Sequence, residues 1–424
     1  MGPYLDLLRR ERDFRRTWLA QLVALGGDWF AVIPLLVLLP TLTGTGVWGA
    51  AVLAVDTLVF ALVGPYAGTV VDRLDRRRVI FTANTVAGLA ALLLVLVRSA
   101  ATAWIALVAI GIVAAAKAFA QPAAAAALPN LVDPDDLHTA SVLSGASWGT
   151  MLAVGAALGG LVAGTLGTTA CFVIDAVLLL GAAALTAATS RPFSDPAAAP
   201  RERRPVHEDV GEALRYAGRD RRVLALLTVK AGPAFGNGAL SLFPLYGAAA
   251  FGLGPLGIGL MFSARGLGAV LGPVLLRRHA ADPARLHLLL VAGMTVFALG
   301  YLALGVTTAF WLVLLLLVLA HAGGGANWVL STYGLQRVVP DDLRGRVFSA
   351  DYTLATLVIA GSQVVFGLLS DHVPARELLA WAGAVVLVYA VLWWLATRHT
   401  AAPTAAPSSA PPTARGAAVP PLEA

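Results

Sequence analysis

Only 13% of the 424 residues are charged, and lysine occurs just twice, at Lys117 and Lys230. A soluble domain covers itself with roughly a quarter charged residues, so a water-facing surface is excluded for most of this chain. The one cysteine, Cys171, leaves no intramolecular disulfide and no cysteine-based metal site. Neither lysine follows a glycine-rich GxxxxGK[ST] loop, which removes a P-loop ATP site. His207-Glu208 has no second histidine at zincin spacing, so no metal and no cofactor is expected. Gly145-Ala146-Ser147-Trp148-Gly149 spells GxSxG, but it lies inside an apolar stretch and not on the strand-turn-helix elbow that a nucleophilic serine needs. The chain is therefore not read as an enzyme.

Hydrophobic residues are plentiful, at 58%, with a mean hydropathy of +0.79. Apolar runs of about 20 residues, enough to cross ~30 Å of hydrocarbon at ~1.5 Å per residue, recur along the chain. They predict twelve spans near 16 to 42, 46 to 71, 79 to 98, 102 to 126, 138 to 164, 168 to 190, 222 to 248, 254 to 276, 286 to 306, 308 to 330, 348 to 370 and 378 to 397. Lys and Arg in short loops are held on the cytoplasmic side. With the N-terminus inside, nearly all of the 30 basic residues fall in cytoplasmic segments, and only Arg98 and Arg376 lie in loops outside. Both termini are thus expected in the cytoplasm, with the chain multi-pass in the inner (plasma) membrane. The formal charge of +6 reports this topology and gives no support to nucleic-acid binding. Arg9 to Arg16 lead into a full-length span, so the first span is expected to be a retained anchor and not a cleaved signal peptide.

The two halves echo each other. Pro134-Asp135-Asp136-Leu137 after the fourth span recurs as Pro340-Asp341-Asp342-Leu343 after the tenth, and Gly64-Pro65 recurs as Gly272-Pro273. The nearly equal offsets, each about half the chain, suggest a duplicated six-helix unit. The expected architecture is all-α: a six-helix bundle over 1–190, a cytoplasmic linker with an amphipathic helix over 191–221, a second six-helix bundle over 222–398, and a disordered Ala/Pro-rich tail over 399–424.

The end of the second span and the loop that follows hold Gly64, Gly68, Asp72, Arg73, Arg76, Arg77 and Arg78. It resembles the cytoplasmic loop signature of the major facilitator superfamily, with Asp75 where that signature has glycine. Asp75, Gly26-Gly27-Asp28-Trp29, Leu128-Pro129-Asn130-Leu131-Val132 and Leu343-Arg344-Gly345-Arg346-Val347 are similar to a branch of bacterial drug and siderophore exporters, of enterobactin-exporter and macrolide-efflux type. The resemblance implies two pseudo-symmetric six-helix bundles, and a loop in which Asp72 latches onto the N-terminus of the eleventh span. The alternative is that the arginines only fix topology and bind anionic headgroups. Gly155, Gly159 and Gly160 in the fifth span approach an antiporter motif, with Ala156 in place of its proline. Equally, they let helices pack closely in lipid.

Ionisable residues inside spans are costly and tend to face a cavity. The resemblance implies that spans 1, 4, 7 and 10 line that cavity, and these carry Asp28, Lys117, Lys230 and His321. Asp28 is the first candidate for proton coupling, or is paired permanently with Lys117. Asp56, expected to face the eleventh span near Gln363, is the second. Lys117 could counter an anionic cargo group. Lys230 could snorkel to headgroups. His321 could titrate or hydrogen-bond a facing helix. Arg265 is expected against the fifth span near Ser147, and Asn327 near the cavity. Asp175 is expected to be structural, bonded to Asn84.

These readings point to a proton-coupled secondary transporter that exports a small amphiphilic molecule. Its partners are then a small-molecule substrate, protons and lipids, in a monomer. The charge count hints at an anionic or zwitterionic cargo. A proton symporter that imports a metabolite, and a non-transporting receptor or assembly factor on the same scaffold, are the alternatives.

Overall fold

The computed structural model describes residues 3–71, 74–193, 211, 215–276 and 282–401. The expectations for Asp72, Arg73, most of the linker and the tail beyond 401 lie outside the described residues. Twelve of the described helices are long and apolar enough to cross a membrane. They are α1 (Arg12–Thr43), α2 (Val47–Val71), α3 (Arg76–Leu93), α4 (Trp104–Leu131), α5 (Leu137–Thr165) and α6 (Thr168–Ala187). The second half supplies α7 (Arg221–Phe251), α8 (Pro255–Leu276), α9 (Pro283–Leu304), α10 (Phe310–Val338), α11 (Asp341–Leu369) and α12 (Ala375–Thr397).

The packing plan repeats with each helix replaced by the one six places later. In the first half α1 packs on α5 and α6, α4 on α2 and α3, and α3 on α6. In the second half α7 packs on α11 and α12, α10 on α8 and α9, and α9 on α12. The two bundles meet along two seams, α5 with α8 and α2 with α11, which exchange under the same shift. The fold is the two-bundle architecture expected from the repeats.

Hydropathy located the spans but not every end or break. α11 begins at Asp341, about two turns before the expected 348, because Arg344 and Arg346 lower the hydropathy of a segment that is nonetheless helical. α7 is broken twice. Pro233 has no N–H and crowds the carbonyl four residues back, and the helix gives way to a turn at Val229–Lys230. Pro244 does the same to Leu240, within a 3-10 turn over Gly238–Leu242. A short helix over Pro3–Arg10, not anticipated, precedes α1. It buries Leu7 and pairs Arg10 with Asp136 at the head of α5.

The end of the bundle that carries Arg10, Arg76, Arg77 and Arg191 is called the basic end, and the other the far end. At the far end the two halves share one apolar core, in which Ile33, Leu36 and Leu53 pack with Leu240, Phe243 and Phe366. There the Gly46 N–H donates to Asp371 Oδ1 at 3.0 Å, and a Cβ on Gly367 would lie 2.5 Å from the Ala50 Cβ. At the basic end the cores are separate: Leu7, Phe14 and Leu131 belong to one half, and Val223, Leu335 and Val347 to the other. Among the described residues the two halves share an apolar core at the far end and keep separate cores at the basic end.

Candidate functional site

Midway along the bundle Lys117 of α4 is held between two carboxylates. Its Nζ lies 2.9 Å from Asp56 Oδ1 on α2 and 3.3 Å from Asp28 Oδ2 on α1. The side chains are 19%, 31% and 13% exposed for Lys117, Asp56 and Asp28, so Asp56 is the most open of the three. Asp28 Oδ1 is buried without a hydrogen-bond partner. Asp56 therefore takes Lys117, and not Gln363 as expected from sequence; Gln363 is buried with its Oε1 unpartnered. Asp175 stands behind α1, where a Cβ on Gly27 would lie 2.8 Å from its Oδ1. That oxygen has no partner, and the expected bond from Asn84 is not formed among the described residues.

A second pair was not anticipated. Lys230 of α7 is 2% exposed and bonds Asp351 of α11 directly. It also donates to Thr332 Oγ1 at 2.9 Å and lies 5.0 Å from the Trp328 ring centroid. The break at Val229–Lys230 places this lysine at the start of a fresh helical segment inside the bundle, so it does not extend toward headgroups as expected. Asp351 was passed over because it falls at the rim of the eleventh span as read from hydropathy, whereas α11 has already run ten residues there. Beside it, Tyr352 contacts Phe60 of α2 at 6.0 Å and Trp328 of α10 at 6.1 Å between ring centroids. These rings connect the two charge clusters.

Other expected site residues are placed elsewhere. His321 is buried against α9, with its Nε2 3.1 Å from the Tyr301 hydroxyl and its ring edge-on to Phe297. Asn327 is 1% exposed and donates to Leu290 O at 3.2 Å, also on α9. His321 thus follows its alternative, a hydrogen bond to a facing helix, and Asn327 gives up its expected place near the cavity for the same interface, where Gly293 and Gly323 bring α9 and α10 together. Arg265 of α8 lies 5.6 Å from the ring centroid of Trp148 on α5. Its expected neighbour Ser147 instead accepts from Trp18 Nε1 at 3.1 Å.

The glycines of α5 divide between two neighbours. A Cβ on Gly155 would lie 2.9 Å from Gly26 O, and one on Gly159 would lie 2.7 Å from Trp29 O, so both face α1. Gly160 faces α8, with Pro255 O at 2.6 Å from such a Cβ.

Gly64 and Gly68 lie in the last turns of α2 and not in a loop, with open space where a Cβ would sit. Asp75 caps α3, accepting from the backbone N–H groups of Arg77 at 2.8 Å and Arg78 at 3.4 Å. Its φ of −60° explains how an aspartate serves where the signature has glycine: no left-handed turn is required here. Arg76 donates to Ala126 O at 2.8 Å near the end of α4, and Arg77 to Ala187 O at the end of α6. These bonds reach from α3 to α4 and to the last residue of α6, so the two arginines tie the basic end of the first bundle together. Arg78 is exposed.

A family profile described as the Major Facilitator Superfamily matches residues 17–360 and 240–421. Among solved structures, a bacterial homolog to the human lysosomal transporter Spinster, in an inward-facing and occupied conformation, superposes with a TM-score of 0.73 at 15% identity, covering 92% of this chain and 97% of that one. An auto-inhibited POT family peptide transporter gives a TM-score of 0.67 at 16% identity, covering 91% and 97%. A search of curated protein sequences finds no match. The structural likeness concerns the fold.

Proposed function

The chain belongs to the Major Facilitator Superfamily, and from that premise we propose that it is a proton-coupled exporter of a small amphiphilic molecule. It is a multi-pass membrane protein and a secondary transporter working by alternating access, and not an enzyme. The direction, the coupling ion and the cargo are our reading.

One observation carries it: two carboxylates from different helices share a single ammonium in the middle of the membrane. Asp28 and Asp56 against Lys117 leave one negative charge without a counter-ion, which is expensive inside a bilayer. A proton bound to either acid balances the site, and cargo in the site relieves the need for it. Proton and cargo then occupy the site alternately, so the inward fall of one drives the other outward. Lys117, on α4, holds the acids of α1 and α2 in register and does not serve as a cargo counter-ion.

The concentration of arginine supports placing the basic end in the cytoplasm of an inner membrane. The shared core at the far end and the separate cores at the basic end support reading the present form as the state that accepts cargo from the cell. Export is favoured over import by the likeness of Gly155 to Gly160 to an antiporter motif. Among exporters, the drug and siderophore branch is supported by Asp75 and by Gly26 to Trp29.

The test is retention of a panel of drugs and siderophore-like compounds in cells that express wild type or Asp28→Asn at equal membrane levels, with and without a protonophore. Lowered retention that both the protonophore and the substitution abolish supports proton-driven export through Asp28. If Asp28→Asn exports as well as wild type, the proton belongs on Asp56 or nowhere in this cluster. Raised retention of a compound makes the protein an importer.

A further inference from the structure

Midway along the bundle, around the α2–α11 seam, the described residues carry more acid than base. Asp28, Asp56 and Asp351 face only Lys117 and Lys230 there, and both lysines are already engaged. The remaining cation of the central region, Arg265, lies on the other seam, over Trp148 of α5. His321, counted from sequence among the positive groups, points into α9. The sign of the site is thus opposite to the one the sequence count suggested.

The exposed part of this surplus is Asp56, with its side chain 31% accessible. Phe60 is one helical turn further along the same face of α2. Its ring meets that of Tyr352, which is 43% exposed. Trp328 backs Tyr352 edge-on and already holds an ammonium, that of Lys230, over its face. A cluster with one carboxylate in excess, whose most accessible member lies beside aromatic rings, favours a cation, because ring faces and carboxylates attract positive charge together.

We propose that the cargo is an organic cation with an aromatic or similarly flat apolar body, and that Asp56 recognises its charge while Tyr352 and Phe60 recognise its body. This rests on the transporter reading above. The cargo cation neutralises the same surplus charge that a proton on either acid of the cluster neutralises in the return step, so no further charged group is needed for exchange. Asp56 thereby sets specificity, and Asp28 stays covered behind Lys117.

Tetraphenylphosphonium and tetraphenylborate are near-isosteric ions of opposite sign, and their binding to detergent-purified protein is measured by equilibrium dialysis against empty micelles. The phosphonium is expected to bind at least about tenfold more tightly. Asp56→Asn is expected to erase that preference and Asp56→Glu to keep it. Tyr352→Leu is expected to weaken phosphonium binding. Equal or tighter binding of the borate to wild type overturns the inference, as does an Asp56→Asn protein of unchanged melting point that still prefers the phosphonium. Phosphonium that binds but is not extruded by cells leaves the cation site standing and removes the exporter reading. Extrusion of anionic compounds alone does the reverse.

Discussion

Lys230 and Asp351 show what a buried pair costs when halved. Each is nearly inaccessible, at 2% and 5%, so removing one leaves the other charged in a medium that cannot solvate it. Such one-sided removal typically costs ~3–5 kcal/mol, whereas replacing both by apolar side chains is close to neutral. Lys230→Met alone is therefore expected to lower the melting midpoint of the purified protein sharply, and Lys230→Met with Asp351→Leu to recover most of the loss. A double variant as unstable as the single one would contradict this account. The same pair marks the limit of what the sequence made legible. Asp28, Asp56 and Lys117 stood out because each interrupts a long apolar run, and a charge there has few ways to be satisfied. Asp351 did not, because Arg344 and Arg346 next to it made its surroundings look like loop. Which acid faced which lysine was beyond the sequence, since it depends on helix rotation: Asp56 met Lys117 across α2 and α4, not Gln363 across the seam.

Helices were legible from hydropathy, and their contacts were not. The twelve spans follow from the cost of unsatisfied backbone in lipid, which leaves helices as the response to a long apolar run. Their breaks follow from Pro233 and Pro244, and are invisible to a count of apolar residues. The α3 cap is a local feature with a local test. Asp75→Ala removes the acceptor for two backbone N–H groups and is expected to cost ~0.5–2 kcal/mol of helix-end stability. Hydrogen exchange should quicken in the first turn of α3 and stay unchanged in α4; equal protection in both proteins would mean the cap contributes nothing. The seam glycines make a stronger demand. A Cβ on Gly259 would lie 2.4 Å from Ala156 O and 3.1 Å from the Gly160 Cα, both backbone atoms that cannot rotate aside. Gly259→Val is expected to force α5 and α8 apart and abolish transport while expression persists. Gly64→Ala, where a Cβ meets open space, is the comparison, expected to transport normally in this conformation. Equal activity of the two variants would show that the α5–α8 seam is looser than its geometry.

The whole molecule alternates only if each end can be held shut and released. The six-place shift that relates the two bundles sends α2 to α8 and α5 to α11, so every cross-half contact has a counterpart of different composition. At the far end the closing groups include Asp371, which follows α11 and accepts the N–H of Gly46 just before the first residue of α2. A carboxylate at a helix N-terminus is favoured by the helix dipole by ~0.3–1 kcal/mol, a small sum that suits a contact made and broken in every cycle. Weakening Asp371 is expected to shift the population toward far-end opening without touching the central charges. A cysteine at Ala50, which is 2% exposed beside Gly367, reports this opening through its reaction with a membrane-impermeant thiol reagent. The native Cys171 is 0% exposed and contributes little background. Asp371→Ala is expected to raise the labelling rate by up to about fivefold, the factor that ~1 kcal/mol allows. Asp371→Asn, which keeps an acceptor oxygen but loses the charge, should fall between. If Asp371→Ala labels no faster than the parent, the shared apolar core of Ile33, Leu36, Phe243 and Phe366 keeps the far end shut by itself. Release must then come from the bending of α7 at its two breaks, because that helix contributes Phe243 to the core and carries Lys230 at its first break.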